Sequence, residues 1–209
     1  MVISLEPETN QPTIAVDIGG KQVAESLIIS RYMMFTQVYF HHTRRAYDIL
    51  INQLLRENLE ENVFPKPHKS EIDEYFNWND WRLNGIIDSE KSNLDKLIKY
   101  RDHSRCIFET SDSPDIDEIQ QTEDFAEWLK KNDISVTIDE AKKSWYKFKN
   151  EELYISDKKE SCVPLSSISN VVKGLEAVNK LRIYVPFKER RKAEKLKEKY
   201  FQEEEKNNE

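Results

Sequence analysis

Three residues in the stretch Ala24 to Leu55 combine types that could handle a nucleotide: Arg31, Tyr39 and His41, set at fixed offsets in a segment that is otherwise strongly apolar. Arginine offers a permanent cation with a fork of donors suited to phosphate, and tyrosine offers an aromatic face with a hydroxyl. Together they suit a phosphate and a sugar. The plain alternative pairs Arg31 with a buried carboxylate and leaves Tyr39 and His41 as satisfied core polars, since short motifs often match by chance.

Other chemical candidates are weaker. Ile14 to Lys21, IAVDIGGK, resembles the phosphate loop that opens actin-like sugar kinases, but that fold needs further glycine motifs and only Gly85 and Gly174 remain. A hairpin turn explains the glycine pair more simply. His41-His42 with Asp48 is a poor metal set, because neighbours on a helix point about 100° apart. Asp102-His103 reads as an exposed helix pair. Lys188 to Lys199 could receive phosphates, yet Glu189, Glu194 and Glu198 at helical spacing favour a solvated helix.

The elements that must position these residues are mostly helical. Thr13 to Ile18, Gly19-Gly20 and Lys21 to Val23 read as a small β-hairpin leading into one long helix over 24–55, with Val23, Leu27, Met34, Val38, Ala46, Ile49 and Leu54 on a helical period. That helix should be central, with Leu27, Val38 and Leu54 buried and Arg31 and Tyr39 facing one groove. Ser70 opens a second helix with Glu71, Asp73 and Glu74 in its first turn, as the helix dipole favours. Further helices are expected around Trp81 to Ile87, over 92–108 and over 116–131, the last with Phe125, Trp128 and Leu129 inward. Short strands at 134–138, 153–156 and 181–185 and a helix over 166–178 then suggest a small α+β part. The division expected is 1–110 for the hairpin and helical array, 111–187 for the α+β subdomain after the turn cluster TSDSP, and 188–209 for a charged helical tail fraying into EEEKNNE.

The pattern R-Y-x-M-F-x-Q-V-Y-x-H (Arg31 to His41) resembles the helix that follows the metal site in HD-domain phosphohydrolases, above all the deoxynucleoside triphosphate triphosphohydrolases. W-x-D-W-R-L-x-G (Trp78 to Gly85), Y-R-D-H-S-R-C-I-F (Tyr100 to Phe108) and a late segment from Ser144 through Ser166-Ser167-Ile168 to Arg182–Pro186 continue the resemblance. It covers nearly the whole chain as the C-terminal half of such a protein. By that likeness Arg31 reaches the substrate phosphates and Tyr39 packs beside the sugar. His41 lies near a second, regulatory nucleotide site. Phe35 replaces a histidine that approaches the substrate in the family.

In the family, a divalent metal activates the water that attacks the α-phosphate. Its ligands, a His, a His-Asp pair and a later Asp, lie N-terminal to the matched segment. The histidines here are His41, His42, His68 and His103, and none precedes an Asp. The expectation is therefore a chain with no catalytic residue, metal ligand or cofactor of its own, inactive alone. It would contribute phosphate and sugar contacts to deoxynucleoside triphosphate hydrolysis, with the metal in a complementing HD half. The alternative is a non-catalytic nucleotide-binding or oligomerisation module that regulates a full-length HD enzyme. Expected partners are deoxynucleotides and either a second copy or a separate HD-bearing chain.

Composition bounds these readings. The chain has 209 residues, 34% of them charged, and a net charge of −7. That balance argues against sequence-independent nucleic-acid binding, which needs phosphate neutralisation. No apolar run of membrane-spanning length is present, and the first residues lack the basic and apolar blocks of a signal peptide. A cytoplasmic location is expected. Cys106 and Cys162 lie apart without metal-ligand spacing and read as idle thiols.

Overall fold

The computed structural model describes residues 1–143, 153–156, 162–175 and 177–207. In chain order the strands and helices are β1 (Val2–Leu5), β2 (Pro12–Asp17), α1 (Lys21–Met34), α2 (His42–Asn58), α3 (Ile72–Asn77), α4 (Asp80–Ser89), α5 (Asn93–Lys99), β3 (Arg105–Glu109), α6 (Ile116–Lys131), β4 (Thr137–Lys143), β5 (Tyr154–Ser156), β6 (Cys162–Pro164), α7 (Leu165–Ile168), α8 (Asn170–Lys173), β7 (Val178–Val185) and α9 (Arg190–Asn207). The fold is mostly α with small sheets, as the sequence patterns lead one to expect. Among the described residues, no helix is long and apolar enough to cross a membrane.

The chain forms two compact units, each built from several segments. Residues 1–41, 111–115 and 140–180 make the first, and residues 42–110, 116–139 and 181–209 the second. The expected division ran in sequence order instead, and only its cut near residue 110 coincides with a crossing between units. The chain also crosses within β4 and β7, where a continuous β-pattern conceals any boundary from sequence.

In the first unit a four-stranded sheet runs β1-β2-β5-β6. β1 pairs antiparallel with β2, setting Val2 against Ala15, and β2 pairs parallel with β5, setting Val16 against Ile155. The hairpin expected at Gly19-Gly20 is not formed. A tight two-residue hairpin turn demands positive φ, which neither glycine adopts. Instead the Asp17 carboxylate accepts the Gly19 N–H at 2.9 Å, capping a 3₁₀ turn over Ile18–Gly20 that runs straight into α1. A Cβ on Gly20 would sit 2.8 Å from Val16 Cγ1, so the close packing of this turn on β2 requires glycine.

α1 lays Ala24 and Ile28 on a core that also holds Phe35, Phe40, Ala141, Ile155, Leu165, Val172 and Val178. The opposite face is open, with Leu27 59% and Val38 52% exposed. The expectation that both are buried is corrected: the inward stripe is the one carrying Ala24 and Ile28. The single helix over 24–55 is also corrected. It breaks at Phe40 and His41, after a π turn over Phe35–Tyr39. The helix expected over 166–178 resolves into two single turns, α7 and α8. Ser169 between them is extended and accepts the Val172 N–H at 3.2 Å, ending one turn and capping the next.

In the second unit α2 buries Ala46, Leu50 and Leu54 at i, i+4 and i+8. Ser92 and Asp95 form a reciprocal capping box that starts α5. The helix expected over 92–108 stops at Lys99. Arg101 takes φ 58, and Arg105–Glu109 pair as an antiparallel strand with β7. Phe125, Ala126 and Leu129 of α6 join Ile107, Ile183 and Val185 in the core. α9 is no free tail: Ala193 is fully buried, while Leu196, Tyr200 and Phe201 pack against the same core. The helix reaches Asn207, with Lys199 and Glu203 paired one turn apart, in the stretch read as frayed; its last residues, 208–209, lie outside the described residues.

Candidate functional site

Arg31 lies in the last turn of α1, immediately before the π turn. The Phe40 N–H donates to the Phe35 carbonyl at 2.8 Å, five residues back. In an α-helix, a side chain four residues on drifts by about 40° around the axis. The wider π turn removes most of that drift, a geometry that recurs at functional sites. Tyr39 consequently meets Phe35 in a tilted contact, 5.1 Å between ring centroids, and the Arg31 guanidinium carbon lies 5.9 Å from the Phe35 centroid. Arg31, Phe35 and Tyr39 thus form one row.

Phe35 is buried, Arg31 is exposed and Tyr39 is partly so. No carboxylate among the described residues pairs with Arg31, so the alternative of a buried ion pair does not describe it. Its cation is set on an aromatic face with donors open to a ligand. Val23, Leu27, Met34 and Val38 border the row as exposed apolar side chains. His41 lies past the π turn, exposed at the break before α2, and its N–H donates to the Val38 carbonyl at 3.4 Å.

Sequence reasoning missed the polar constellation of the second unit. Arg45 grips Asp139 with two prongs, Nε to Oδ2 at 2.9 Å and Nη2 to Oδ1 at 2.5 Å. Asp139 is 6% exposed, and its hydrogen bonds push the Arg45 guanidinium further toward the charged form. The Tyr184 hydroxyl donates to the His42 carbonyl at 2.9 Å, fastening the start of α2 to β7. His103 is half-buried with its ring 4.6 Å from that of Tyr47, not on an exposed helix as its neighbour Asp102 suggested. Cys106 is also shielded, and burial pushes its thiol up to about 11. A faint signal existed for Arg45, an arginine three residues before Asp48 on the same helix face, but its partner lies ninety-four positions away.

The quoted motifs divide by role. In Trp78–Gly85, Asn79 caps α4 and Arg82 stacks over Trp78 at 4.0 Å while pairing with Glu74 at 2.8 Å, an architectural arrangement. Tyr100–Phe108 builds the turn into β3. Of the late segment, residues 153–156, 162–175 and 177–186 are described, and its beginning at Ser144 lies outside the described residues. Among the described residues no three His, Cys, Asp or Glu side chains gather as a metal would need.

Residues 6–209 match the family model described as the HD associated region. The chain belongs to this family. Two solved structures share the fold of this HD-associated chain. One is a hypothetical protein from Aquifex aeolicus, with a TM-score of 0.71 at 23% identity over 90% of this chain and 47% of that one. The other is a phosphohydrolase from Bacteroides thetaiotaomicron, with a TM-score of 0.53 at 14% identity over 85% of this chain and 52% of that one. The HD-associated chain therefore spans about half the length of each. No curated protein matches it.

Proposed function

We propose that this HD-associated chain supplies the phosphate and sugar contacts of an HD-type phosphohydrolase acting on deoxynucleoside triphosphates. The carrying observation is the Arg31–Phe35–Tyr39 row: a cation without a carboxylate partner among the described residues, held on an aromatic face beside a tyrosine. Arg31 contacts the phosphates through its donor fork, and Tyr39 forms a wall for the sugar. Both act by positioning and by offsetting negative charge. His41 belongs to a regulatory nucleotide contact in the same reading. A divalent metal would activate the attacking water in such an enzyme. The described side chains offer no set that fits one, so the metal-bearing His, His-Asp and Asp residues belong to a separate HD segment or chain.

The exposed apolar face of α1 is suited to that partner or to a second copy of this chain. That no metal donor set gathers among the described residues also favours a second reading, a non-catalytic module that binds nucleotide and regulates a complete HD enzyme. The test is a titration of the purified chain with deoxynucleoside triphosphates, with and without an HD-bearing polypeptide. Binding that Arg31→Ala weakens about tenfold supports the row as the contact. Triphosphate release only in the mixture supports the enzyme reading, and binding without release in the mixture supports the regulatory one. Equal affinity of wild type and Arg31→Ala removes Arg31 from the site.

A further inference from the structure

The second unit contains a cavity of about 320 Å³ where α2 begins. His42 and Thr43, the first residues of α2, form one wall. Residues 103–106, the end of the turn and the first two residues of β3, form another, and Arg190 at the start of α9 also lines it. Its volume is at the small end of ligand pockets, which suits a compact ligand. The charges around it are almost all of one sign.

Arg105 is the anchor. Its Nη1 donates to the His103 carbonyl at 3.0 Å and its Nη2 to the Arg101 carbonyl at 3.4 Å, while its guanidinium carbon lies 4.9 Å over the Phe187 ring. These contacts fix the side chain but neutralise nothing. No carboxylate among the described residues pairs with it. Arg190 is partly offset by Glu194, which accepts its Nε at 2.7 Å from the next turn. Of the five N–H donors on each guanidinium, three remain beyond these bonds on Arg105 and four on Arg190.

His103 adds a group that responds to an anion. Its Nδ1 lies 3.2 Å from the Arg101 carbonyl, which requires Nδ1 to carry a proton and leaves Nε2 to protonate when negative charge arrives. Burial, then the Arg105 cation and more weakly His42, hold its pKa below the usual value; the Arg101 carbonyl and Asp102 oppose this without reversing it. The seventeen-residue α2 directs the positive end of its dipole to the same place. Two arginines and an imidazole line the cavity at the helix end, and only Glu194, on Arg190, pairs with either guanidinium among the described residues.

We infer that this cavity is a phosphate site, taking the phosphate group of a small anion through Arg105, Arg190 and His103. The group could be free inorganic phosphate or the end of an organic phosphate. A neighbouring cavity of about 320 Å³ shares His42 and Cys106 and extends to Phe108 and Lys197, giving room for the organic part. The inference shares no residue with the Arg31 row and stands or falls separately from it.

The test follows the histidine ring resonances of the full chain during titration with inorganic phosphate, tripolyphosphate and a deoxynucleoside triphosphate. At least one probe should shift His103 and His42 saturably below about 10 mM and raise the His103 pKa. Saturation by inorganic phosphate identifies a free anion as sufficient; saturation by the nucleotide alone identifies an organic phosphate. Arg105→Ala and Arg190→Ala should each weaken binding about tenfold, and Arg31→Ala should leave these shifts unchanged. Arg190→Ala alters a half-exposed side chain and carries the test if Arg105→Ala does not fold. Absence of saturable shifts with all three probes, or wild-type affinity in Arg190→Ala, overturns the assignment.

Discussion

Arg45 closes on Asp139 in a two-pronged ion pair, with the carboxylate almost fully shielded, whereas Arg31 rests over the Phe35 ring with no carboxylate partner among the described residues. The helices that carry them differ in the same sense. α2 hides Leu50 and Leu54, and α1 leaves Leu27 and Met34 half open. One arginine is spent inside the fold and its surroundings are sealed. The other lies over an aromatic neighbour beside exposed apolar side chains, the arrangement on which the proposed phosphate contact rests. The distinction lies in what the rest of each unit brings to them.

The largest expected contrast is in packing. Leu54→Ala should lower the unfolding free energy by about 3 kcal/mol, because the side chain is 1% exposed and its removal leaves a cavity. Leu27→Ala should change it by less than about 0.5 kcal/mol. Urea denaturation measures both, and equal losses would erase the difference between the faces.

The ion pair comes next. Arg45→Ala leaves Asp139 buried without its cation and should cost about 2 kcal/mol, less than a fully buried pair because Arg45 is a quarter exposed. Arg31→Ala should be neutral in the same denaturation. A destabilised Arg31→Ala variant would mean that Arg31 is architectural after all.

The sealed region behind α2 should also respond to alkali. Cys106 titrates in the folded protein at about 11, above its unfolded value near 9, because burial disfavours the thiolate. A raised pKa gives stability that is complete below the unfolded value and is lost as pH rises through the folded one. Stability should therefore fall by roughly 2 kcal/mol between about pH 9 and 11. Buried Tyr184, also shifted upward, adds loss in the same direction at higher pH. Cys106→Ala should flatten the profile over that window; an unchanged slope would assign the loss elsewhere.

The smallest free-energy effect belongs to the open row. Tyr39→Phe keeps the ring contact with Phe35 and should preserve most of the nucleotide affinity, while Tyr39→Ala should reduce it a few-fold, about 1 kcal/mol. Calorimetric titration separates them. Identical behaviour of all three proteins would remove Tyr39 from the binding surface and leave Arg31 alone.

Much of this was readable from local pattern. The acidic first turn near Ser70, the inward face of Phe125 and Leu129 and the β-branched run at 181–185 follow from side-chain period and propensity, which act over a few residues. The grouping of Arg31 with Tyr39 was also suggested by spacing, though the means was not: the π turn that aligns them, and Phe35 as the spacer between them, depend on packing of Phe35 and Phe40 into the first unit's core. Where local signals were ambiguous the errors were systematic. Arg105–Glu109 passes for the end of a helix until β7 pairs with it, and α9 passes for a solvated tail until Tyr200 and Phe201 meet Phe108 and Phe125.

The sequence by itself determined the helical class and the residue types available for binding phosphate, because these rest on short-range periodicity and on chemistry carried by single side chains. Only the tertiary structure decided which arginine is consumed and which face of α1 stays open. A partner such as Asp139 for Arg45 comes from a distant segment, and no local pattern records which distant segments a fold will bring together.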